Sequence, residues 1–336
     1  MSNMPPETEL SEQAAVAEIE SAADKMSQVR DHVGKLIFGQ RDVLDQALIS
    51  LMSGGNVLLV GVPGLAKTRL TEILGIVLGL SERRVQFTPD LMPADILGSE
   101  VLEESDTGQR SFRFIKGPVF SQLLMADEIN RASPRTQSAL LQAMQEQEVT
   151  VAGKTHPLPK PFHVIATQNP IEQEGTYPLP EAQLDRFIMQ VNIDYPDLGD
   201  EKTMLLETTS ADSKQAESAM TSDDLQKIQR LVRTIPVGES VVDSILRLVR
   251  SGRPSTSEIP LVAENVSWGP GPRAGQSLML ATRARALLDG RFAPSMDDIL
   301  ALAAPVLRHR MHVSFAARAE GIGLDQVIEE MCSGLI

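Results

Sequence analysis

The sequence predicts an α/β domain with a mostly parallel sheet, followed by an all-helical domain. Three observations support this prediction. Short apolar runs alternate with helical stretches up to residue 196, an apolar run passes through a glycine-rich loop into a helix at 56–78, and only the helical period remains afterwards. Such alternation is typical of parallel sheets, whose strands need crossover connections. We therefore predict three parts, residues 1–35, 36–196 and 197–336.

The individual elements follow from periodicity and from helix-breaking residues. Ten polar residues rich in Pro and Glu are predicted to be mobile, and helical patterns follow over Ser11–Leu36 and from Gly39-Gln40 to Ser53-Gly54-Gly55. A β-hairpin is predicted near residues 146–161, because Glu148–Val151 runs into Ala152-Gly153-Lys154. The helical part is interrupted at Ser251–Pro260 and Gly269–Pro272. The predicted core strands are Asn56–Val60, Val85–Phe87, Leu123–Ala126, Phe162–Thr167 and Phe187–Ile193.

Composition excludes several classes of protein. The chain has 336 residues, of which 42% are hydrophobic, enough for one large or two ordinary domains. A net charge of −14 argues against a general nucleic-acid-binding surface. No apolar run approaches the roughly 18 residues of a membrane span, and no signal peptide is evident. The single cysteine, Cys332, rules out an intrachain disulfide, suits a reducing cytosol and is best explained as a small buried residue.

The loop after the first core strand has the composition of a phosphate-binding site. Its glycines let backbone N–H groups point inward, the following helix adds its dipole, Lys67 adds a charge and Thr68 offers a hydroxyl to Mg²⁺. Ala66 stands where the general pattern has glycine, and we predict that it already lies in the first helical turn. The alternative is a glycine-rich turn without a ligand. The residues predicted to surround the phosphates are Gly61, Val62, Pro63, Gly64, Leu65, Ala66, Lys67, Thr68 and Arg69.

Two adjacent acids end the apolar strand Leu123–Ala126. Side chains of neighbouring residues diverge at a strand end, so Asp127 and Glu128 can take different roles. Asp127 is placed to hold the Mg²⁺ shell beside Thr68, and Glu128 is placed to polarise an attacking water. The alternative is that both acids serve as the acidic first turn of the next helix.

A third polar group follows the next strand. Asn169 comes directly after Val164–Thr167 and Gln168, and Pro170 ends the strand there. An amide at this position can reach a γ-phosphate or the attacking water from a neighbouring strand. The alternative is an asparagine that satisfies the backbone of a turn.

These motifs occur in the order found in one family, and together they resemble the MoxR branch of the AAA+ ATPases. The resemblance covers roughly residues 30 to 330. It implies an AAA+ P-loop parallel-sheet core with a C-terminal all-helical lid, and Mg²⁺-dependent ATP hydrolysis in a homo-oligomer, expected to be a hexameric ring. The segments that carry the resemblance are Gly61–Thr68, Gln86–Ile96, Phe114–Phe120, Asp127–Ala132, Ala166–Pro170 and, most specifically, Glu174–Phe187.

The resemblance also implies residue roles. Lys67 and Thr68 match the Walker A pair, Asp127 and Glu128 the Walker B acids, and Asn169 the sensor 1 amide. Phe38, Gly39 and Gln40 match the segment that packs on adenine. The inserted elements of this clade would be the hairpin Val149–Lys154 and a second insertion within Asp90–Phe114.

Two arginines are implied to act between subunits or across the lid. Arg186 matches the arginine finger that reaches the neighbouring subunit's γ-phosphate. Arg273 matches the sensor 2 arginine at the start of a lid helix, acting either within its own subunit or on the next. Both could instead be ordinary salt-bridge partners, and Arg131 could form an intersubunit contact or simply start a helix.

The resemblance suggests chaperone-like remodelling or maturation of partner proteins, often with a von Willebrand A domain partner, in the cytoplasm. Three alternatives stay open. The first is the ATPase subunit of a metal chelatase. The second is a nucleic-acid motor or loader, which the acidic charge disfavours although a pore needs only a few lysines such as Lys154. The third is a nucleotide-dependent scaffold, which the water-activating Glu128 disfavours.

The remaining chemistry-bearing residues give weaker signals. His309 and His312 are spaced i, i+3 among arginines, which disfavours a metal site and predicts a solvated helix face. Trp268 is predicted to pack at the boundary of the lid.

Overall fold

The computed structural model describes residues 6–104, 110–172, 175–209 and 215–335. Residues 1–5 of the stretch predicted to be mobile lie outside this part of the chain, as does Glu174 of the family-specific segment. Residues 6–10 form the first turns of a helix. Within the described ranges, no helix is long and apolar enough to cross a membrane.

Strands and helices alternate as far as Ile193, and helices dominate after it, as the sequence predicts. The strands are β1 (Val57–Gly61), β2 (Glu82–Gln86), β3 (Gly98–Glu104), β4 (Arg110–Lys116), β5 (Leu123–Asp127), β6 (Glu148–Val151), β7 (Lys154–Pro157), β8 (His163–Gln168), β9 (Met189–Ile193), β10 (Val266–Trp268) and β11 (His312–Val313). The helices are α1 (Pro6–Gly34), α2 (Arg41–Met52), α3 (Lys67–Val77), α4 (Pro93–Leu97), α5 (Pro134–Glu146), α6 (Glu181–Leu184), α7 (Leu198–Thr208), α8 (Ser222–Thr234), α9 (Glu239–Ser251), α10 (Pro260–Asn265), α11 (Pro272–Leu288), α12 (Met296–Leu307), α13 (Phe315–Ala319) and α14 (Leu324–Ser333).

The core is a parallel sheet with the strand order β2-β5-β8-β1-β9. Strand β8 lies between β1 and β5, and Ala166 is the register partner of both Leu58 and Ala126. Parallel strands end at the same edge of a sheet, where ligands of open α/β folds bind. The loops that follow β1, β5 and β8 therefore meet at one edge.

The burial of each strand explains how easily it is recognised in the sequence. Every residue of β5 is buried, as are all residues of β8 except the last, so both strands read as continuous apolar runs. Strand β2 is an edge strand in which only Val85 is buried. It begins at Glu82, ahead of the predicted Val85, because its first residues are polar and carry no apolar signal.

The predicted hairpin is confirmed as β6 and β7, which pair antiparallel. A second hairpin, β3 with β4, occupies the segment in which the other insertion is expected. The two hairpins contact each other: the rings of Phe114 and His156 stack with centroids 4.1 Å apart, and Lys154 Nζ lies 3.3 Å from Glu100 Oε1. The two hairpins therefore form one joined surface element.

The prediction that no strand follows residue 197 is wrong in one detail. Strands β10 and β11 pair antiparallel, and the ring of Trp268 stacks on that of His312 with centroids 5.5 Å apart. These strands are three and two residues long, too short for an alternating pattern to show in the sequence.

The prediction of a solvated helix face at His309 and His312 is also wrong. His309 is only 2% exposed, and its Nε2–H donates to the carbonyl oxygen of Phe187 at 3.0 Å. His312 is half-buried, 3.7 Å from Glu181 Oε1. Polar neighbours in sequence suggested solvent exposure, whereas the turn after α12 packs against the end of the sheet domain.

A buried histidine joins the sheet to the helical part. His163 begins β8, its Nδ1–H donates to Gly55 O at 2.9 Å, and its Nε2 lies 2.8 Å from the amide nitrogen of Gln229 in α8. The same amide nitrogen donates to Leu51 O at 2.9 Å. An amide donor facing Nε2 requires that nitrogen to accept, so the ring is held neutral, and burial lowers the pKa of His163 to about 4.

We predict that this histidine makes the fold sensitive to acid. Below the ordinary histidine pKa of about 6.5 the unfolded chain binds a proton that folded His163 does not bind, so stability falls as the pH decreases from about 7 towards 4. The contribution between pH 7.5 and pH 5 is about 2 kcal/mol. It is measured by urea unfolding across this range for the wild type and His163→Asn, which keeps a donor for Gly55 but does not titrate. The variant should lose about 2 kcal/mol less stability than the wild type over this range, and equal losses would contradict the assignment.

Candidate nucleotide-binding site

The loop between β1 and α3 encloses the amino group of Lys67. The Lys67 Nζ donates to the carbonyl oxygen of Gly61 and, at 3.3 Å, to that of Val62. Gly64 has a φ of +87° and open space where a Cβ would lie, so glycine is required there by conformation and not by packing. Leu65 is buried and anchors the loop to the core. The loop thus presents its backbone and one cation to the edge of the sheet.

Ala66 does not lie in the first helical turn, so that prediction is wrong. It is the residue before α3, and its φ of 56° and ψ of 18° are left-handed. The chain must reverse direction there before the helix starts, and Leu70 N–H then donates to Ala66 O at 2.8 Å as the first bond of the helix. Left-handed backbone costs an alanine about 1–2 kcal/mol, so the surrounding structure holds the loop in this shape.

Three carboxylates act on the Lys67 ammonium. Burial lowers the pKa of Lys67, while the negative charges of Asp127, Glu128 and Glu172 oppose that shift. The structure therefore brings together the phosphate-loop lysine and both acids predicted from the sequence, and adds Glu172 from the loop after β8. A half-buried cation among carboxylates is a common arrangement in functional sites.

Asp127 is fixed at the end of β5 by side chains of the two neighbouring strands. It is 7% exposed, and its Oδ1 accepts a hydrogen bond of 2.6 Å from the Thr167 hydroxyl of β8. Its Oδ2 accepts two hydrogen bonds from Arg84 in β2, of 2.6 Å from Nη2 and of 3.2 Å from Nε. The Oδ1 atom has a second lone pair, so the group can still bind a further cation.

Glu128 leaves the sheet in a different direction. Its φ of 54° turns the chain out of β5, and its own N–H donates to Thr167 Oγ1 at 2.9 Å. Its Oε2 accepts hydrogen bonds from Gln86 Nε2 at 2.8 Å and Arg131 Nη1 at 2.9 Å. The two adjacent acids diverge as predicted, and Glu128 is held at the rim by side chains of β2 and of the following turn.

Asn169 is buried where β8 ends. Its Oδ1 accepts a hydrogen bond of 3.1 Å from the N–H of Ile171, which is the turn-stabilising role considered as the alternative. Its amide nitrogen donates to none of the described residues. The turn therefore uses one end of the amide and leaves the donor end available to a ligand.

The oxygen groups present fit a magnesium ion. No partner for the Thr68 hydroxyl is found among the described residues, and Asp127 supplies a carboxylate. No group of three or more His, Cys, Asp or Glu side chains in the described ranges could hold a metal alone. Mg²⁺ is usually bound by one or two protein oxygens together with phosphate and water, so Thr68 and Asp127 would suffice.

A cleft of about 730 Å³ lies along the segment that precedes α2. Phe38, Gly39, Gln40 and Asp200 contribute to its lining. The Gln40 amide donates to Leu65 O at 3.2 Å, which ties this segment to the phosphate loop. Gly39 has a φ of +68°, and a Cβ there would lie 2.7 Å from that of Asp200, so only glycine fits. The volume is within the range of small-molecule sites, about 300–1,000 Å³.

The two predicted arginines lie apart from this cluster. Arg186 Nη1 donates to Leu141 O at 2.5 Å, on the face of α5. Arg273 is the second residue of α11, and its Nη1 lies 3.4 Å from Asp185 Oδ2. Neither arginine contacts Lys67 or the two acids among the described residues. Within one subunit, the structure brings together the loop, the acids and Asn169 but not these arginines.

Sequence reasoning missed four residues of the site. Arg84 and Gln86 hold the two acids from the edge strand, Thr167 bridges them, and Glu172 acts on Lys67. The available signal was two polar residues at alternate positions of β2, which place both side chains on one face. It could be interpreted only once β2 was known to pair with β5, with Gln86 opposite Asp127.

Comparison with known protein families gives two matches. Residues 56–189 match the ATPase family associated with various cellular activities (AAA). Residues 260–331 match the AAA lid domain. The first match contains the phosphate loop, both acids, Asn169 and Arg186, and the second contains Arg273.

Individual proteins match most of the chain. Chaperone MoxR1 of Mycobacterium tuberculosis is 40% identical over 300 residues, which cover 89% of this chain and 78% of that protein. The YeaC protein of Bacillus subtilis is 39% identical over 306 residues, covering 91% and 92% of the two chains. The crystal structure of a candidate ATPase from Cytophaga hutchinsonii is 37% identical, with a TM-score of 0.89, and covers 96% of this chain and 98% of that one.

We predict that Ala66→Gly stabilises the protein by about 0.5–1 kcal/mol, because glycine removes the left-handed strain at a smaller entropic cost. The matched control is Ala301→Gly on the exposed face of α12, where the same change should cost about 1 kcal/mol. Chemical denaturation of both variants measures the difference. Equal destabilisation at the two positions would mean that Ala66 is helical.

Proposed function

This chain belongs to the MoxR family of AAA+ ATPases, and we propose that it hydrolyses Mg²⁺-bound ATP at sites shared between neighbouring subunits of a hexameric ring. The observation that carries the proposal is the cluster of Lys67 with Asp127 and Glu128 at the edge of the sheet. A phosphate-binding cation beside one metal-binding and one water-activating carboxylate is the set of groups that phosphoryl transfer requires.

The phosphates would lie in the loop between β1 and α3. Lys67 would turn from the Gly61 and Val62 carbonyls to the phosphate oxygens, which are stronger acceptors because they are charged. Thr68 and Asp127 would hold Mg²⁺, which neutralises charge that develops on the phosphates. Phe38, Gly39 and Gln40 would contact adenine in the adjoining cleft.

Water activation is assigned to Glu128. Its Oε2 accepts from both Gln86 and Arg131, and its Oε1, which has no partner among the described residues, would accept the proton from water. Asn169 would position that water or the γ-phosphate through its free amide nitrogen. The Thr167 hydroxyl holds the backbone of Glu128 and the side chain of Asp127 in place while the proton is transferred.

The site is proposed to be completed by the next subunit. Arg186 lies outside its own subunit's cluster, which is expected of a residue that acts on a neighbour. It would stabilise charge on the transferred phosphoryl group, a role worth about 10³–10⁵ in rate in comparable enzymes. Arg273, at the start of a lid helix, would contact the nucleotide bound in its own subunit or in the next, and would thereby couple nucleotide binding to the position of the lid.

The work performed is proposed to be chaperone-like remodelling or maturation of partner proteins, with a von Willebrand A domain protein as a partner. The name of the M. tuberculosis relative supports this direction. A metal chelatase subunit is the alternative from the same clade. A nucleic-acid motor is less well supported, because Lys154 of the hairpin is paired with Glu100 and the net charge is −14. The single Cys332 supports a cytoplasmic location as part of the proposal.

We predict that the ATPase rate per subunit rises cooperatively with protein concentration and that Arg186→Ala lowers it by about 10³-fold or more. The measurement is phosphate release with Mg²⁺ at several protein concentrations. Arg318→Ala, which changes an exposed arginine of α13, should behave as the wild type. A flat rate that is insensitive to Arg186 would exclude a finger acting between subunits.

Glu128→Gln separates hydrolysis from nucleotide binding in the same assay. This variant should still bind ATP but release no phosphate, because only the water-activating carboxylate is lost. Hydrolysis that survives this change would remove Glu128 from the mechanism. A wild type that binds ATP without any turnover would favour the scaffold alternative.

A further inference from the structure

Arg310 is a buried cation that the nucleotide site does not explain. Its side chain is 1% exposed, and it is among the largest of the fully buried side chains in the described ranges. Burial of an ionised group costs several kcal/mol unless its charge and its hydrogen-bond donors are satisfied. The position lies in the turn after α12, within the segment that matches the lid domain.

The Arg310 guanidinium is satisfied by the chain around Arg186. Its Nε donates to Asp185 Oδ1 at 2.7 Å. Its Nη2 donates to the carbonyl oxygens of Asp185 at 3.2 Å and Phe187 at 2.7 Å, and its Nη1 donates to that of Ile188 at 3.1 Å. The remaining contacts, to Val306 O at 2.7 Å and Ser277 Oγ at 3.1 Å, lie within the lid. One side chain of the lid therefore fixes the backbone on both sides of Arg186.

Two further lid residues bind the same segment. His309 donates to the Phe187 carbonyl oxygen, which also accepts from Arg310. Arg273 lies 3.4 Å from the second oxygen of the Asp185 carboxylate, whose first oxygen accepts from Arg310. The Asp185 carboxylate is thus shared between a lid arginine that is buried and one that is exposed enough to exchange partners.

We propose that Arg310 is a positioning residue for Arg186, so that the lid of one subunit sets the placement of the arginine that completes the neighbouring site. The inference rests on the proposed function, since it requires Arg186 to act between subunits. The planar guanidinium suits this task because its five donors hold several acceptors in fixed directions, which a lysine cannot do. If Arg273 moved towards bound nucleotide, the Asp185 carboxylate would pair with Arg310 alone. Nucleotide binding at one site would then affect the position of Arg186, which acts on the next site.

The test uses mixed rings in which each subunit type has one defect. Glu128→Gln subunits cannot activate water but keep a well-placed Arg186. Arg310→Lys subunits have a misplaced Arg186 but keep all nucleotide-binding and water-activating residues of their own site. Arg310→Lys alone should lower kcat by about tenfold or more and leave KM for ATP unchanged, since the substrate-binding groups of its own site are untouched. Mixed in equal amounts with Glu128→Gln subunits, it should recover about one quarter of the wild-type rate. Half of the sites then keep Glu128, and half of these face a neighbouring subunit whose Arg186 is well placed.

The control is the mixture of Arg186→Ala with Glu128→Gln, which tests the proposed function alone. Recovery in both mixtures supports the inference. Recovery with Arg186→Ala but not with Arg310→Lys overturns the inference and leaves the shared site standing. Failure of both mixtures overturns the shared site and the inference together. Wild-type activity of Arg310→Lys alone overturns the inference.

A second variant guards against loss of folding. Asp185→Asn removes the charge that pairs with Arg310 while keeping the size and an acceptor of the side chain, and Asp185 is only partly buried. It should show the same loss of kcat and the same recovery with Glu128→Gln subunits. A folded Asp185→Asn variant without either effect would contradict the role of the Arg310–Asp185 pair.

Discussion

The electrostatic attraction between Lys67 and the acids at the edge of the sheet is the interaction on which the site depends. The half-buried ammonium interacts with the negative charges of Asp127, Glu128 and Glu172. In the sheet, β8 separates the strand of the loop from the strand of the acids by only one position. The Thr167 hydroxyl then joins the ends of β5 and β8 through hydrogen bonds to both acidic residues. Opposite charges in a partly buried site interact more strongly than in water. The sheet order thus determines the chemistry available at its edge.

The second constraint is the burial of Arg310 between the lid and the sheet domain. A guanidinium that is satisfied by the carbonyl oxygens of Asp185, Phe187 and Ile188 and by one carboxylate joins the two regions at that point. His163 and Gln229 form a second polar connection on β8 and α8. The helical part of the chain is therefore attached to the sheet domain at the segment that leads from Arg186 into β9 and at the start of β8.

Local motifs predicted the fold class, the phosphate loop and the two acids, because each of these depends on residues adjacent in sequence. The errors arose where tertiary contacts decide. Ala66 adopts the backbone shape that the loop requires against its own preference. His309 and Arg310 lie among charged neighbours in sequence but are buried by the packing of α12 on β9. Arg84 and Gln86 became interpretable only through the pairing of β2 with β5. Sequence patterns report a residue's own element, not the element that packs against it.

A structure of the assembled Glu128→Gln variant with ATP and Mg²⁺ would test the shared site at the level of atoms. The shared site requires that a guanidinium nitrogen of Arg186 lies within about 3 Å of a γ-phosphate oxygen bound by the neighbouring subunit. In that state Arg186 has left the carbonyl oxygen of Leu141. An ATP-bound assembly in which Arg186 still donates to Leu141, and no residue of a neighbour reaches the γ-phosphate, would contradict it.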